Sequence, residues 1–508
     1  MRSKMALWPL MPALALAISL GCDKPTSTTT PPDGASDGAD EQVPANAEDP
    51  DPQGRATLLR AGKVMSATGV SYSPGAVLFV GDELVAVGAP GDVEAPKDAT
   101  VIELGADAVI TPGIIDTHSH MGVYPSPGLS GLSDGNEMSG PITPYARAED
   151  GFWPQDPQLA HALAGGITTA QILPGSANLI GGRSFTIKLR PGARSAEDMR
   201  FAGAPAGLKM ACGENPKRVY GQKGGPVTRM GNVAGYRKAF EEAVEYQRKW
   251  DTYRRKLALW EVGETDSRRA NAAPQNSKRG KPQPPPKRDE KQRPEPPSRD
   301  FGLETLVGVL DGDILVHMHC YRADEMSLML EFAASYGFEI RSFHHAVEAY
   351  KIADRLAAND TAASIWADWW GFKVEAYDGV RENAAMVTQA GARAIIHSDS
   401  ATGIQRLNQE AGKALFAGRK AGVEISDEQA LKWLTINPAW ALGVDDQTGS
   451  LEPGKAADLV VWNGSPFSVY SQAQLVFIDG ELVYERGPNS RPRSDFDLGL
   501  RDELRGAP

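Results

Sequence analysis

Seven of the chain's eight histidines fall into four tight groups: His118 with His120, His317 with His319, His344 with His345, and His397 two residues before Asp399. Neutral imidazoles and carboxylates are the ligands of divalent ions such as zinc, iron, manganese and cobalt. An ion held that way lowers the pKa of water from about 15.7 toward roughly 7, which makes hydroxide available for attack on a carbonyl. In Asp116-Thr117-His118-Ser119-His120 the reactive types alternate. On a strand Asp116, His118 and His120 would face one way, so the two imidazoles can share an ion. One His-x-His pair is weak evidence alone, because histidines satisfied inside a core are commoner than ligands. His161, in a helix-like stretch apart from the groups, is expected to be structural.

Something must bring four distant groups together. Each follows or ends an apolar, strand-like run, among them Ile314-Leu315-Val316 and Ala394-Ile395-Ile396. Such runs alternate with helix-like stretches, as where Ala394-Ile395-Ile396 precedes the Gln405 to Ala417 segment, and this predicts α/β architecture. The length suits a barrel, whose strands deliver catalytic groups from their C-terminal ends. Residues 111–446 are assigned to the barrel. Short alternating runs flank it, at Gly75 to Val80 and Glu83 to Val87 on one side and at Ala457 to Trp462 and Leu475 to Tyr484 on the other. They predict a β-sandwich composed from both ends of the chain, 56–110 and 447–490. Within the barrel an insert at 236–300 departs from the rhythm. Tyr246, Trp250, Tyr253, Leu257 and Trp260 form an apolar stripe at helical spacing, predicting a long helix over Tyr236 to Trp260. The proline-rich stretch from Asn271 to Arg299 reads as a solvated loop.

The chain of 508 residues, 41% hydrophobic, can bury a large core, and a net charge of -12 argues against nucleic acid as its partner. Met1-Arg2-Ser3-Lys4 followed by an apolar run to Gly21 has the layout of an export signal, too short and too proline-interrupted for a membrane span. Ser19-Leu20-Gly21-Cys22 resembles a lipobox, which implies a lipid anchor at Cys22 and a place in the bacterial envelope, periplasmic or membrane-anchored; an ordinary cleaved signal is the alternative. Residues 23–55 read as an acidic tether and 491–508 as a C-terminal tail. A disulfide between Cys212 and Cys320 is possible in an oxidising compartment, but both are expected to be reduced and buried.

Thr111-Pro112-Gly113-Ile114-Ile115-Asp116-Thr117-His118-Ser119-His120 resembles the signature of the amidohydrolase superfamily. Asn437-Pro438-Ala439, Leu442-Gly443 and the run from Gly449 to Val460 resemble that superfamily's passage from barrel to sandwich. The chain is most similar to its imidazolonepropionase-like branch, which includes prolidase-type dipeptidases. The resemblance implies a (β/α)8 TIM barrel with a composite β-sandwich, holding one or two divalent ions, zinc first, with iron, manganese or cobalt as alternatives. It implies His118 and His120 as first-strand ligands, His319 from the fifth strand in preference to His317, His345 from the sixth and Asp399 from the eighth. His344 and His345 alternate sides on a strand, so only one should face the metals. The fourth strand offers either Lys209, as a carboxylated lysine bridging two ions, or Glu214; the two stand level.

The expected reaction is hydrolysis of a C–N bond in an amide, cyclic amide or small peptide. Asp399 would take the proton of the attacking water, and His345 or a metal would polarise the carbonyl. A dipeptidase or deaminase is the nearest alternative, and an inactive metal-binding scaffold lipoprotein is the alternative from another class. The partner is a small molecule, and a homo-oligomer is compatible with the sequence. Trp366, Trp369 and Trp370 could line the pocket, and Arg183 or Arg406 could meet a substrate carboxylate.

Overall fold

The computed structural model of the chain describes residues 54–272 and 293–487. The export signal with Cys22, nearly all of the tether, most of the proline-rich stretch and the tail lie outside them. Among the described residues no helix is long and apolar enough to cross a membrane.

Eight strands make the sheet that carries the histidines: β1 (Ile114–Ser119), β2 (Ile167–Ile172), β3 (Ile180–Lys188), β4 (Gly207–Ala211), β5 (Leu315–Cys320), β6 (Ile340–His345), β7 (Ala362–Ile365) and β8 (Ala394–Ile396). They lie side by side in sequence order. Helices cover one face and packed side chains fill the other, so β4, β7 and β8 are buried throughout and show no polar alternation. β3 is the departure from a uniformly parallel barrel, because it runs antiparallel to both β2 and β4. The two outermost strands meet where the Asp399 N–H donates to the His118 carbonyl at 3.0 Å. Register then sets the level of the reactive groups: Lys209 pairs with His317, Ala211 with His319, and His319 with His344.

Two further sheets pack together, and the six-stranded one combines both ends of the described chain. Leu459–Trp462 runs antiparallel to Val109–Pro112, which lies parallel to Lys63–Met65 in a six-stranded sheet. A four-stranded sheet with Ala56–Ala61 and Gly75–Val80 near its centre packs over it, burying Leu59, Phe79, Ile110, Val461 and Phe477 together. The chain crosses from sandwich to barrel at Gly113, where a Cβ would stand 2.1 Å from Thr168 Oγ1; only glycine allows that approach.

The amphipathic helix is longer than its stripe predicts and spans Arg229–Ala272. Tyr236, Phe240 and Ala243 anchor it in the main core, with the Phe240 ring stacked on Phe338 at 4.7 Å. The cysteine expectation fails. Cys212 and Cys320 form a disulfide, not two buried thiols. The reason is register: pairing of Ala211 with His319 sets the next residues of β4 and β5 side by side, with Cα atoms 5.3 Å apart.

A buried ion pair joins barrel to sandwich. Lys188 at the end of β3 reaches Asp458 at 3.0 Å and also pairs with Asp479, which Arg190 binds at 2.6 Å. Burial opposes ionisation of Asp479, but the two cations outweigh it and hold its carboxyl below the usual range. That contribution is present above the unfolded carboxylate pKa of about 3.9 and is lost as pH falls through the lower folded value. Lys188→Met leaves Asp458 buried without its cation and should cost about 3–5 kcal/mol at neutral pH. Denaturant unfolding should show the gap between variant and parent closing as pH drops through the carboxylate range. Equal stabilities at pH 7 would mean that the pair does not join the two parts.

Candidate metal centre

His118, inward on β1, and His120, just beyond it, bring their Nε2 atoms to 3.3 Å from each other. Asp399 Oδ1 stands 3.6 Å from the first and 3.2 Å from the second. Two ligands about 2.0–2.1 Å from a zinc ion at a tetrahedral angle are roughly 3.4 Å apart, so the three donor atoms fit one ion. A second group shares His118: its donor atom, one from His345 and one from His397 all lie within 4.8 Å of one another. Nδ1 of His319, His345 and His397 is buried without a hydrogen-bond partner. The nitrogens opposite two of them face donors: His397 Nε2 accepts from the His345 N–H at 3.3 Å and His319 Nε2 from the Asn215 amide at 3.3 Å, so in these neutral rings Nε2 is the bare nitrogen and Nδ1 carries the proton.

The electrostatics keep lone pairs available. Burial holds His118, His319, His344 and His345 well below the usual histidine range, and pushes His317 and His397 to about 3, so these rings are neutral at pH 7. His120 Nδ1 contacts the Leu173 carbonyl at 2.8 Å. A carbonyl only accepts, so that nitrogen carries the proton and Nε2 is the bare one. Burial disfavours the Asp399 anion, but its contact with His120 and neighbouring positive charge, Lys209 included, outweigh this and keep its carboxyl below the ordinary value. Asp116 lies beneath. Its carboxylate accepts from the His118 N–H at 3.1 Å and from the Ser398 N–H and hydroxyl, tying β1 to β8, and burial raises its pKa to about 7.

The backbone departs from regular strand geometry at two of these residues. His345 and Asp399 have φ of 71° and 48°, a left-handed conformation that costs a side-chain-bearing residue of order 1–3 kcal/mol. The turn at His345 overturns the expected alternation. The rings of His344 and His345 lie 4.9 and 4.7 Å from that of His118, so both face inward. Only His345 joins the donor group; His344 meets the far side of His118, Nδ1 to Nδ1 at 2.8 Å. His317 lies one layer deeper on β5 and contacts His344 Nε2 at 3.0 Å.

On the fourth strand the structure separates the two alternatives. Lys209 is buried, with Nζ 3.4 Å from His118 Nε2 and 3.1 Å from the Pro174 carbonyl. Burial lowers its pKa to about 7, although Asp399 favours the charge. Glu214 opens the following helix instead, partly exposed, with its carboxylate 3.9 Å from Lys373.

The His319 ring meets that of His345 edge to face, 4.5 Å between centres, with Nε2 3.3 Å from Asn215 Nδ2. Trp366 packs against the His345 ring at 4.3 Å, and Tyr321 stacks on it at 5.2 Å. Trp369 and Trp370 are exposed. Arg183 lines a separate cavity with Arg147, Glu149 and Arg200, and Arg406 sits in a short turn before the Leu407–Lys420 helix. His161 is exposed on Pro157–Ala164, away from the cluster.

Comparison with known proteins assigns the family. A solved amidohydrolase from Thermotoga maritima MSB8 superposes with a TM-score of 0.71 at 33% identity, covering 85% of this chain and all of the other. The chain belongs to the amidohydrolase family. The family profile itself matches residues 309–483. Amidohydrolase tasK of Hapsidospora irregularis is 34% identical over 406 residues, 77% of this chain, which spans only 38% of that relative's length. A dihydroorotase of Ligilactobacillus salivarius is 37% identical over 79 residues, 12% of this chain and 18% of its own.

In this amidohydrolase the residue that sequence reasoning left out of the ligand set is His397. The available signal was its position two residues before Asp399 at the end of β8. Asn215 and Lys373, whose Nζ lies 3.9 Å over the Tyr321 ring, were also missed; no spacing marks them, because Asn215 arrives on the first turn of the helix after β4 and Lys373 on a loop.

Proposed function

We propose that this amidohydrolase is a metal-dependent hydrolase that cleaves a C–N bond in an amide, cyclic amide or small peptide. The observation that carries the reading is the spacing of His118 Nε2, His120 Nε2 and Asp399 Oδ1, 3.2 to 3.6 Å apart at the mouth of the barrel. These three would hold one divalent ion, zinc by preference. His345 and His397, with His319 beside them, would hold a second. When bound, such an ion supplies Lewis acidity and makes water a competent nucleophile at neutral pH.

The chain's own groups do the rest. Asp399 Oδ atoms face the reaction space from a backbone held in place by the His118 carbonyl, so the carboxylate accepts the proton from the attacking water and returns it to the leaving nitrogen. His345, held against Tyr321 and Trp366, is placed to polarise the substrate carbonyl. Trp366 also shields the site on that side, its indole N–H donating to the Ser398 carbonyl at 3.1 Å.

Lys209 rather than Glu214 is the fourth-strand ligand in this reading. An amine that is substantially neutral near pH 7 can add carbon dioxide, forming an N–C bond and releasing a proton, and the resulting carbamate is the anion that a site of neutral imidazoles needs. Lys209→Ala should lose most activity and recover part of it when formate or acetate is added, while Glu214→Gln keeps its metal. Metal loss confined to Glu214→Gln would reverse the assignment.

The reading is tested by metal analysis together with a screen of amides, dipeptides and lactones. Metal-dependent turnover of one class supports it. Full metal occupancy with no turnover would identify a binding scaffold instead.

A further inference from the structure

The proposed mechanism leaves two buried histidines unused. His317 and His344 are both completely buried, and with His118 they form an unbroken run down the barrel axis: His118 Nδ1 to His344 Nδ1 at 2.8 Å, then His344 Nε2 to His317 Nδ1 at 3.0 Å. We propose that this run of three imidazoles is a positioning device that fixes the tautomer of His118 and aims its Nε2 into the metal centre.

The argument follows hydrogen-bond direction. A neutral imidazole has one N–H and one bare nitrogen. For His118 to present a bare Nε2, its Nδ1 must carry the proton and donate to His344 Nδ1. His344 then carries its proton on Nε2 and donates to His317 Nδ1, which leaves the His317 proton on Nε2. Each ring thus dictates the next, and the reverse polarity would put a proton on His118 Nε2 and close it to an ion.

The contrast with His120 shows why a chain is needed. His120 donates to a backbone carbonyl, which cannot act as a donor, so one contact fixes its tautomer. An imidazole partner can donate or accept, so His344 fixes nothing until its own far side is set. That role falls to His317, whose Nε2 has no partner in the structure. Only with the His317 proton on Nε2 does the run have the polarity that bares His118 Nε2. Partners that orient a ligating histidine typically change metal affinity by about 10–100-fold when removed.

The inference rests on the metal-centre reading, and the test separates the two. Zinc affinity of the full-length protein is measured by competition with a chromophoric chelator, with thermal unfolding to confirm the fold. His344→Leu should bind zinc about 10–100-fold more weakly. His344→Asn, whose amide oxygen can occupy the Nδ1 position as an acceptor, should recover most of that loss, which a purely space-filling role would not predict. His120→Ala is the control. If it loses zinc while His344→Leu binds like the parent, or if the Leu and Asn variants are equally weak, the imidazole chain is overturned and the metal centre stands. If His120→Ala also binds like the parent, the centre itself is wrong. Should His344→Leu fail to fold, nitrogen NMR of the histidine-labelled, zinc-loaded parent decides: His118 protonated at Nδ1 with His344 at Nε2 supports the chain, and the opposite tautomers overturn it.

Discussion

Asp399→Asn should leave most of the metal bound and cut turnover on the order of 10²-fold or more. Asparagine keeps the shape and one oxygen that can face His120, now 3.2 Å from Asp399 Oδ1, so the ligand geometry survives. It cannot accept a proton near neutral pH, so the step that activates water and the step that protonates the leaving nitrogen both lose their group. The left-handed backbone at this position, φ 48°, is tolerated better by asparagine than by most residues, which keeps the comparison fair. Metal analysis and steady-state kinetics on the same preparation check it. Parent-like turnover at normal metal content would eliminate Asp399 as the base while leaving the fold untouched.

The second large effect is expected at His118 and His120. Alanine at either removes one of the three closely spaced donors, and both metal content and turnover should fall together, turnover to the level of buffer. His118→Ala should be the more damaging, because its ring belongs to both donor groups, His118-His120-Asp399 and His118-His345-His397. It also leaves His344 Nδ1 buried without its partner. His161→Ala, on an exposed helical position, should match the parent in both measurements and serves as the control for histidine loss as such. Metal retained in full by both His118→Ala and His120→Ala would place the ion elsewhere.

The two results bear on each other. Asp399→Asn separates chemistry from binding, whereas the histidine variants remove both, so only the pair distinguishes a base from a ligand. Their outcome also bears on the cavity lined by Arg183: none of the substituted residues lines it, so it should be indifferent to every one of these substitutions.

Much of the candidate metal centre was legible in the amino-acid sequence because it is written in short-range order. Residues two apart on a strand share a face whatever the rest of the chain does, so Asp116, His118 and His120 could be read together from their spacing. Apolar runs without polar alternation marked strands buried on both faces, and the alternating runs at the two ends marked a sandwich exposed on one side. What the tertiary structure decided depends on contacts between strands distant in sequence. The register of β4 against β5 joins Cys212 to Cys320, where thiols were expected. The depth of Lys209 inside the barrel, against Glu214 on a helix start, separates two residues that are equally plausible five positions apart. The positive φ of His345 brings its ring to the same side as that of His344, and no residue type announces it, since left-handed backbone at a histidine is held by surrounding packing rather than by local preference. The antiparallel course of β3 and the line from His118 through His344 to His317 are of the same kind: strand direction and lateral neighbours are set by the closed sheet as a whole, and local sequence carries no record of them.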